Sequence, residues 1–153
     1  MTLTLEHIEE RQAELASLIE QFKTQKQQSI LLLVPEAEIV LQPGEHYAGA
    51  VLDGDGKIKH HLVLMAARPD GNLNWDDAMA WAQKIGGQLP DRQEQALLYA
   101  NCKPHLKPVW HWSCQEHEDD ASYAWGCFFL DGYQDDYRKS AECAAVAVRR
   151  VTP

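Results

Sequence analysis

Apolar and polar positions divide the chain into three zones. From Leu5 to Gln28, the residues Leu5, Ile8, Leu15, Leu18, Ile19 and Phe22 recur at helical spacing among Glu9, Glu10, Arg11, Glu14 and Lys23. No Gly or Pro interrupts them, so the pattern predicts one amphipathic helix. A two-stranded coiled coil needs apolar residues at both seam positions of every heptad, and here Arg11 and Gln25 occupy one of them. The helix is therefore expected to pack on its own domain or on one partner, with oligomerisation through its apolar face as a further option. Gln25, Gln27, Gln28 and Ser29 form a polar break, which sets the expected division at residues 1–28 and 29–153.

The second zone, residues 30–70, reads as β-rich. Ile30 to Val34 predicts a buried strand ended by Pro35, and Ile39 to Leu41 another stopped by Pro43-Gly44. Tyr47 to Leu52 and Ile58 to Met65 flank Asp53-Gly54-Asp55-Gly56, a hairpin signal because glycine supplies the positive φ that a tight turn demands. Calcium is not expected there, since an EF-hand loop needs further oxygen ligands and a closing Glu.

The third zone, residues 71–153, opens with two short helices. Asn74 can cap one that buries Ala78, Trp81, Ala82 and Ile85 and ends at Gly86-Gly87. Asp91 with Glu94 three residues on makes a capping-box start for the helix from Gln93 to Asn101. Strands are expected at Trp110 to Ser113, Tyr123 to Leu130 and Ala144 to Val151, with a turn at Asp131-Gly132. Together these elements predict an α+β domain behind a leading helix.

Charge changes the picture more by its placement than by its total. The 153 residues carry 23 Asp and Glu against 14 Lys and Arg, a formal net charge of −9. Residues 113–137 hold Glu116, Glu118, Asp119, Asp120, Asp131, Asp135 and Asp136 and no Lys or Arg. A polyanion binder needs a basic stripe that releases counterions from phosphates, so no nucleic-acid partner is expected. The same stretch, extended to Trp110, is rich in rings: Trp110, Trp112, Tyr123, Trp125, Phe128, Phe129, Tyr133 and Tyr137. Acids interleaved with aromatics suit a sugar, a basic peptide or a cationic protein surface. The alternative is that half of these rings are core and the acids solvate loops. The longest apolar run is too short to cross a bilayer, and no secretory signal is visible at Met1 to Glu6. No membrane association is expected, and the location expected is a reducing cytosol.

Catalytic and metal chemistry find little support. Cys114 and His117 are the only compact ligand pair, and Cys102, Cys127 and Cys143 are scattered. A thiolate at Cys114 would be disfavoured by the acids around it, so free structural thiols are expected. His60 and His61 lie on a strand pattern and point to opposite faces, and His105 and His111 are isolated. Adjacent acids such as Glu116, Glu118, Asp119 and Asp120 read as a solvated loop rather than a hydrolytic pair. The chain has no P-loop, dinucleotide fingerprint or Gly-x-Ser-x-Gly motif. Neither metal nor cofactor is expected, and no catalytic residue is assigned.

The segment Gly87-Gln88-Leu89-Pro90-Asp91-Arg92-Gln93-Glu94 resembles the G-x-L-P-T-R-x-E helix of the Lcl C-terminal-like domain family, a bacterial and prophage family of unknown function. Trp112-Ser113, Tyr123-Ala124-Trp125, Asp131-Gly132-Tyr133-Gln134 and Val148-Arg149-Arg150 match its later landmarks. Leu41 to Gly49 and Trp75 to Ala78 also look like small prophage members, so the resemblance covers about residues 38–151. It implies a C-type-lectin-like fold, related to formylglycine-generating enzymes and retroelement-variable proteins, in which loops over a rigid base bind proteins or glycans without chemistry. The Glu-Pro-Asn and Gln-Pro-Asp triplets of calcium-dependent lectins are absent, and Trp-Ser-Ser is replaced by Trp112-Ser113-Cys114. The resemblance also implies a phage or prophage product, acting in the bacterial cytoplasm or on the virion. The expected ligand face comprises Trp112, Glu116, His117, Asp119, Asp120, Tyr133, Asp135 and Tyr137. Its expected partner is a protein or glycan, with a basic host factor blocked by an acidic inhibitor as the alternative.

Overall fold

The computed structural model describes residues 4–27 and 32–153, which fall into two units, residues 1–36 and 37–153. The first unit is built on helix α1 (Leu5–Gln27), as the apolar spacing predicts. Its apolar side chains are exposed, Leu5 at 72% and Phe22 at 65%. No helix among the described residues is long and apolar enough to cross a membrane.

The second unit is α+β: helices α2 (Trp75–Lys84) and α3 (Arg92–Cys102) with two three-stranded antiparallel sheets. The first sheet has the order β1-β2-β6, from β1 (His46–Leu52), β2 (Ile58–Leu64) and β6 (Val148–Val151). The second has the order β3-β4-β5, from β3 (Trp110–Glu116), β4 (Tyr123–Phe128) and β5 (Tyr133–Arg138). The Asp-Gly hairpin forms between β1 and β2, where Asp53 Oδ1 accepts from the amides of Asp55 (2.9 Å) and Lys57 (3.0 Å). Both helix starts form as well. Asn74 Oδ1 accepts from the Asp77 amide (2.9 Å), and Asp91 and Glu94 make a complete capping box.

Two apolar clusters fill the unit. One joins Val51, Leu62 and Leu64 of the first sheet to Leu98 and Cys102 of α3 and to Phe129. The other joins Trp75, Ala78 and Ala82 to Leu89, Trp112 and Ala124. The segment from Cys143 to Val148 passes between them. Cys143, Ala145 and Ala147 enter the second cluster, whereas Val146 and Val148 enter the first. An extended chain alternates its side chains, so one stretch of backbone serves both clusters.

Three expectations fail. Leu32 to Val34 and Ile39 to Leu41 form no strand, and Leu32, Leu33 and Val34 are exposed, while Ile30 and Leu31 lie outside the described residues. These runs are apolar but short, Pro35 and Pro43 each remove a backbone donor, and no neighbouring strand offers a ladder. Conversely, β5 carries the polar sequence Tyr-Gln-Asp-Asp-Tyr-Arg and was not anticipated. It is the edge of its sheet, where charged side chains protect an open row of backbone groups. The terminal strand is also shorter than expected: Ala144 makes only an isolated bridge to His111, and β6 starts at Val148.

Candidate functional site

The β3-β4-β5 register assigns the aromatic residues to two faces. Trp110, Phe128, Tyr133, Asp135 and Tyr137 share one face, and Trp125, Gln134, Asp136, Tyr123 and Arg138 share the other. On the first face Trp110 gathers its neighbours, with ring centroids 4.7 Å from Tyr137, 5.3 Å from Phe128 and 6.1 Å from Tyr133. Tyr133 stays 58% exposed, and Tyr137 is half-buried against the second cluster. Desolvation and the neighbouring Asp135 carboxylate hold the Tyr137 hydroxyl above its ordinary pKa.

The expected ligand face therefore divides. Trp112 is 0% exposed, with its indole N–H donated to the Leu73 carbonyl (2.8 Å). In the register it shares the face of Trp110 and Asp135, but the second cluster covers its position, so it is a core residue and offers a ligand nothing. Glu116 pairs with Lys139 (2.7 Å), whose ammonium also sits 4.3 Å from the Trp75 ring centroid. His117, Asp119 and Asp120 lie in the β3–β4 turn, where His117 Nδ1 accepts from the Asp119 amide (3.1 Å) and Asp120 accepts from the Ser122 amide and hydroxyl. Those Ser122 bonds hold the Asp120 carboxyl below its usual range. Tyr133, Asp135 and Tyr137 belong to the sheet face described above.

Trp125 connects the turn to a groove. The Arg92 guanidinium lies 3.7 Å from its ring centroid, and the His117 ring is stacked 5.3 Å away at an interplanar angle of 23°. Its indole N–H reaches Glu118 Oε2 at 3.3 Å. Glu118 is held below its usual carboxyl range by its own backbone N–H and then by this indole. Arg92 is fixed in turn by Gln134: Nε–H donates to Gln134 Oε1 (2.9 Å), and Gln134 Nε2–H returns a bond to the Arg92 carbonyl (2.7 Å). Gln115 Oε1 accepts from the Arg92 amide (2.8 Å). Beside these groups runs an open groove of about 730 Å³, lined by Arg92, Gln93, Gln115, Tyr133 and Gln134 among others. Amides and a guanidinium beside an exposed ring suit hydroxyl or peptide groups.

Sequence reasoning missed Arg92, Gln115, Gln134 and Trp125 as site residues. One signal was available: Arg92 occupies the first position of α3, where the helix dipole disfavours a cation, so its charge needs a partner elsewhere.

The environment of each thiol disfavours the thiolate. Burial is the largest influence on each and pushes each upward, Cys127 and Cys143 to about 11. Among the described residues no disulfide forms, and no group of three or more His, Cys, Asp or Glu is placed to hold a metal ion. Compared with protein-family models and with curated proteins, the chain finds no match.

Proposed function

We propose that residues 37–153 form a non-catalytic binding domain with a C-type-lectin-like architecture, recognising a protein or glycan at the groove beside Arg92. The observation that carries this reading is the Arg92–Trp125–His117 stack next to a groove walled by amide side chains. A flat ring packed against two planar groups is held in place and costs little entropy on binding. Amides fixed by their own hydrogen bonds keep further N–H donors uncommitted. The resemblance to the prophage family supports the same reading. No step of bond making or breaking is assigned to the site.

A second reading, an acidic inhibitor of a basic host factor, is favoured by Glu118, Asp119 and Asp120. These exposed acids have no salt-bridge partner among the described residues. One experiment separates the two readings. The full chain is immobilised, then probed with a glycan array and with host lysate at low and high salt. Binding that persists at high salt and is lost in Trp125→Ala supports the groove. Capture that disappears at high salt and in an Asp119→Lys/Asp120→Lys double variant, yet survives Trp125→Ala, supports the inhibitor. Binding unaffected by either change defeats both.

A further inference from the structure

A second, more enclosed cavity of about 260 Å³ is lined by Arg68, Asn72, His105, Lys107 and His111 together with small residues. Its charged and titratable lining is entirely basic, on a chain with nine more acids than bases. Arg68 is fixed in place without being neutralised. Nη1 donates to the carbonyls of Met65 (2.6 Å) and Ala67 (2.9 Å), and Nη2 donates to that of His105 (3.3 Å). Carbonyls carry no net charge, so the guanidinium keeps its full charge, with its Nε–H and one Nη2–H uncommitted. Neither Arg68 nor Lys107 has a carboxylate partner among the described residues. The His105 ring, stacked on His46 with centroids 3.4 Å apart, steadies the wall.

His111 supplies the discriminating group. It is 2% exposed, its ring lies 4.8 Å from Phe129, and its Nδ1–H donates to the Val109 carbonyl (2.9 Å). That bond fixes the tautomer and leaves the lone pair on Nε2, which has no hydrogen-bond partner among the described residues, on a ring that lines the cavity. We propose that this cavity is an oxyanion site whose preferred occupant is hydrogen phosphate, which can donate its own proton to His111 Nε2 while its other oxygens accept from Arg68 and Lys107. Sulfate has the same shape and charge but no proton to give at neutral pH, so it would set lone pair against lone pair. Burial, and to a lesser degree Arg68 and Lys107, holds His111 down to about 4, which keeps Nε2 an acceptor at neutral pH. The Val109 carbonyl accepts from the ring, His105 lines the same cavity, and no acid lines it. Sulfate binding should therefore strengthen as the pH falls and His111 gains a proton, whereas phosphate has no such requirement.

The test is calorimetry of the full chain with sodium phosphate and sodium sulfate at about pH 7.5 in a low-salt buffer, with imidazole NMR resonances followed in parallel. The expected result is saturable one-site phosphate binding, weakened about tenfold by Lys107→Gln and by Arg68→Gln, as loss of a charge-assisted hydrogen bond implies. Sulfate should bind about fivefold more weakly or less, and the His111 Nε2 resonance should move with phosphate. Arg68→Gln releases three carbonyls, so where it fails to fold, Lys107→Gln and the His111 resonance decide. Absence of saturation, unchanged affinity in the folded variants, a static His111 resonance, or sulfate binding as tightly as phosphate would overturn the proposal.

Discussion

The two sheets deal with charge in opposite ways. Beside the first sheet, Glu94 is 0% exposed and fully satisfied. It accepts from Arg150 Nε (2.6 Å) and Nη2 (2.8 Å), from His60 Nε2 (2.7 Å) and from the Asp91 amide (2.8 Å). Glu45 accepts in the same forked manner from Arg149 at 2.9 and 2.7 Å. Beside the second sheet the one carboxylate pair among the described residues, Glu116 with Lys139 (2.7 Å), is single and half-exposed; the other cations lie over rings, Arg92 over Trp125 and Arg138 over Tyr123, and the acids of the β3–β4 turn remain exposed. Geometry, not residue type, decides which charges are structural. A carboxylate locked by four donors cannot meet a ligand, whereas a stacked cation and free acids remain accessible.

The largest effect should come from Glu94→Gln, which leaves the Arg150 charge without its partner and should cost about 3–5 kcal/mol in urea unfolding. The pH dependence follows from the same site. Burial pushes the Glu94 carboxyl up, but hydrogen bonds from Arg150 and the Asp91 amide outweigh it, and the folded value lies below 4.5. Its stabilising contribution is complete above the unfolded value and is lost as pH falls through the folded one. Wild-type stability should therefore decline in acid below about pH 4.5, and Glu94→Gln should show a flatter slope there. Trp112→Ala should cost about 3–5 kcal/mol, the range for emptying a core aromatic site, measured by the same unfolding curves. Arg92→Leu should cost only about 1–2 kcal/mol, from one cation–π contact and one hydrogen bond, while removing ligand affinity at the groove. A loss as large as that of Glu94→Gln would erase the contrast between the sheets. Smallest of all, Tyr133→Ala should stay within about 0.5 kcal/mol in thermal melts, as suits an exposed side chain.

The parts of the fold readable from sequence were those set by local rules. Asn74 and the Asp91–Glu94 pair announce helix starts through their side-chain chemistry, and Asp53 to Gly56 announces a hairpin. The α+β class followed from their order. Strand pairing is non-local, which is why polar β5 carries no local strand signal while the apolar stretch at Ile39 to Leu41 carries one and forms no strand. The site was legible only in part. Composition singled out the acids and rings, and the β3–β4 turn does expose Asp119 and Asp120 and stacks the half-buried His117 on Trp125. Composition could not say that Trp112 faces inward, because burial on a strand depends on what covers each face. Nor could it bring Arg92 to Gln134, 42 positions away.

The segment from Cys143 to Val151 has a consequence for synthesis. It bonds to Leu73, Trp110, Met65 and Gln88, and pairs with β2 along His61 to Leu64. Translation produces this connector after everything it joins. Until it is made, residues 37–142 lack the side chains it contributes to both apolar clusters and the strand that pairs with β2. The β1–β2 hairpin can zip early; closure of the whole unit cannot.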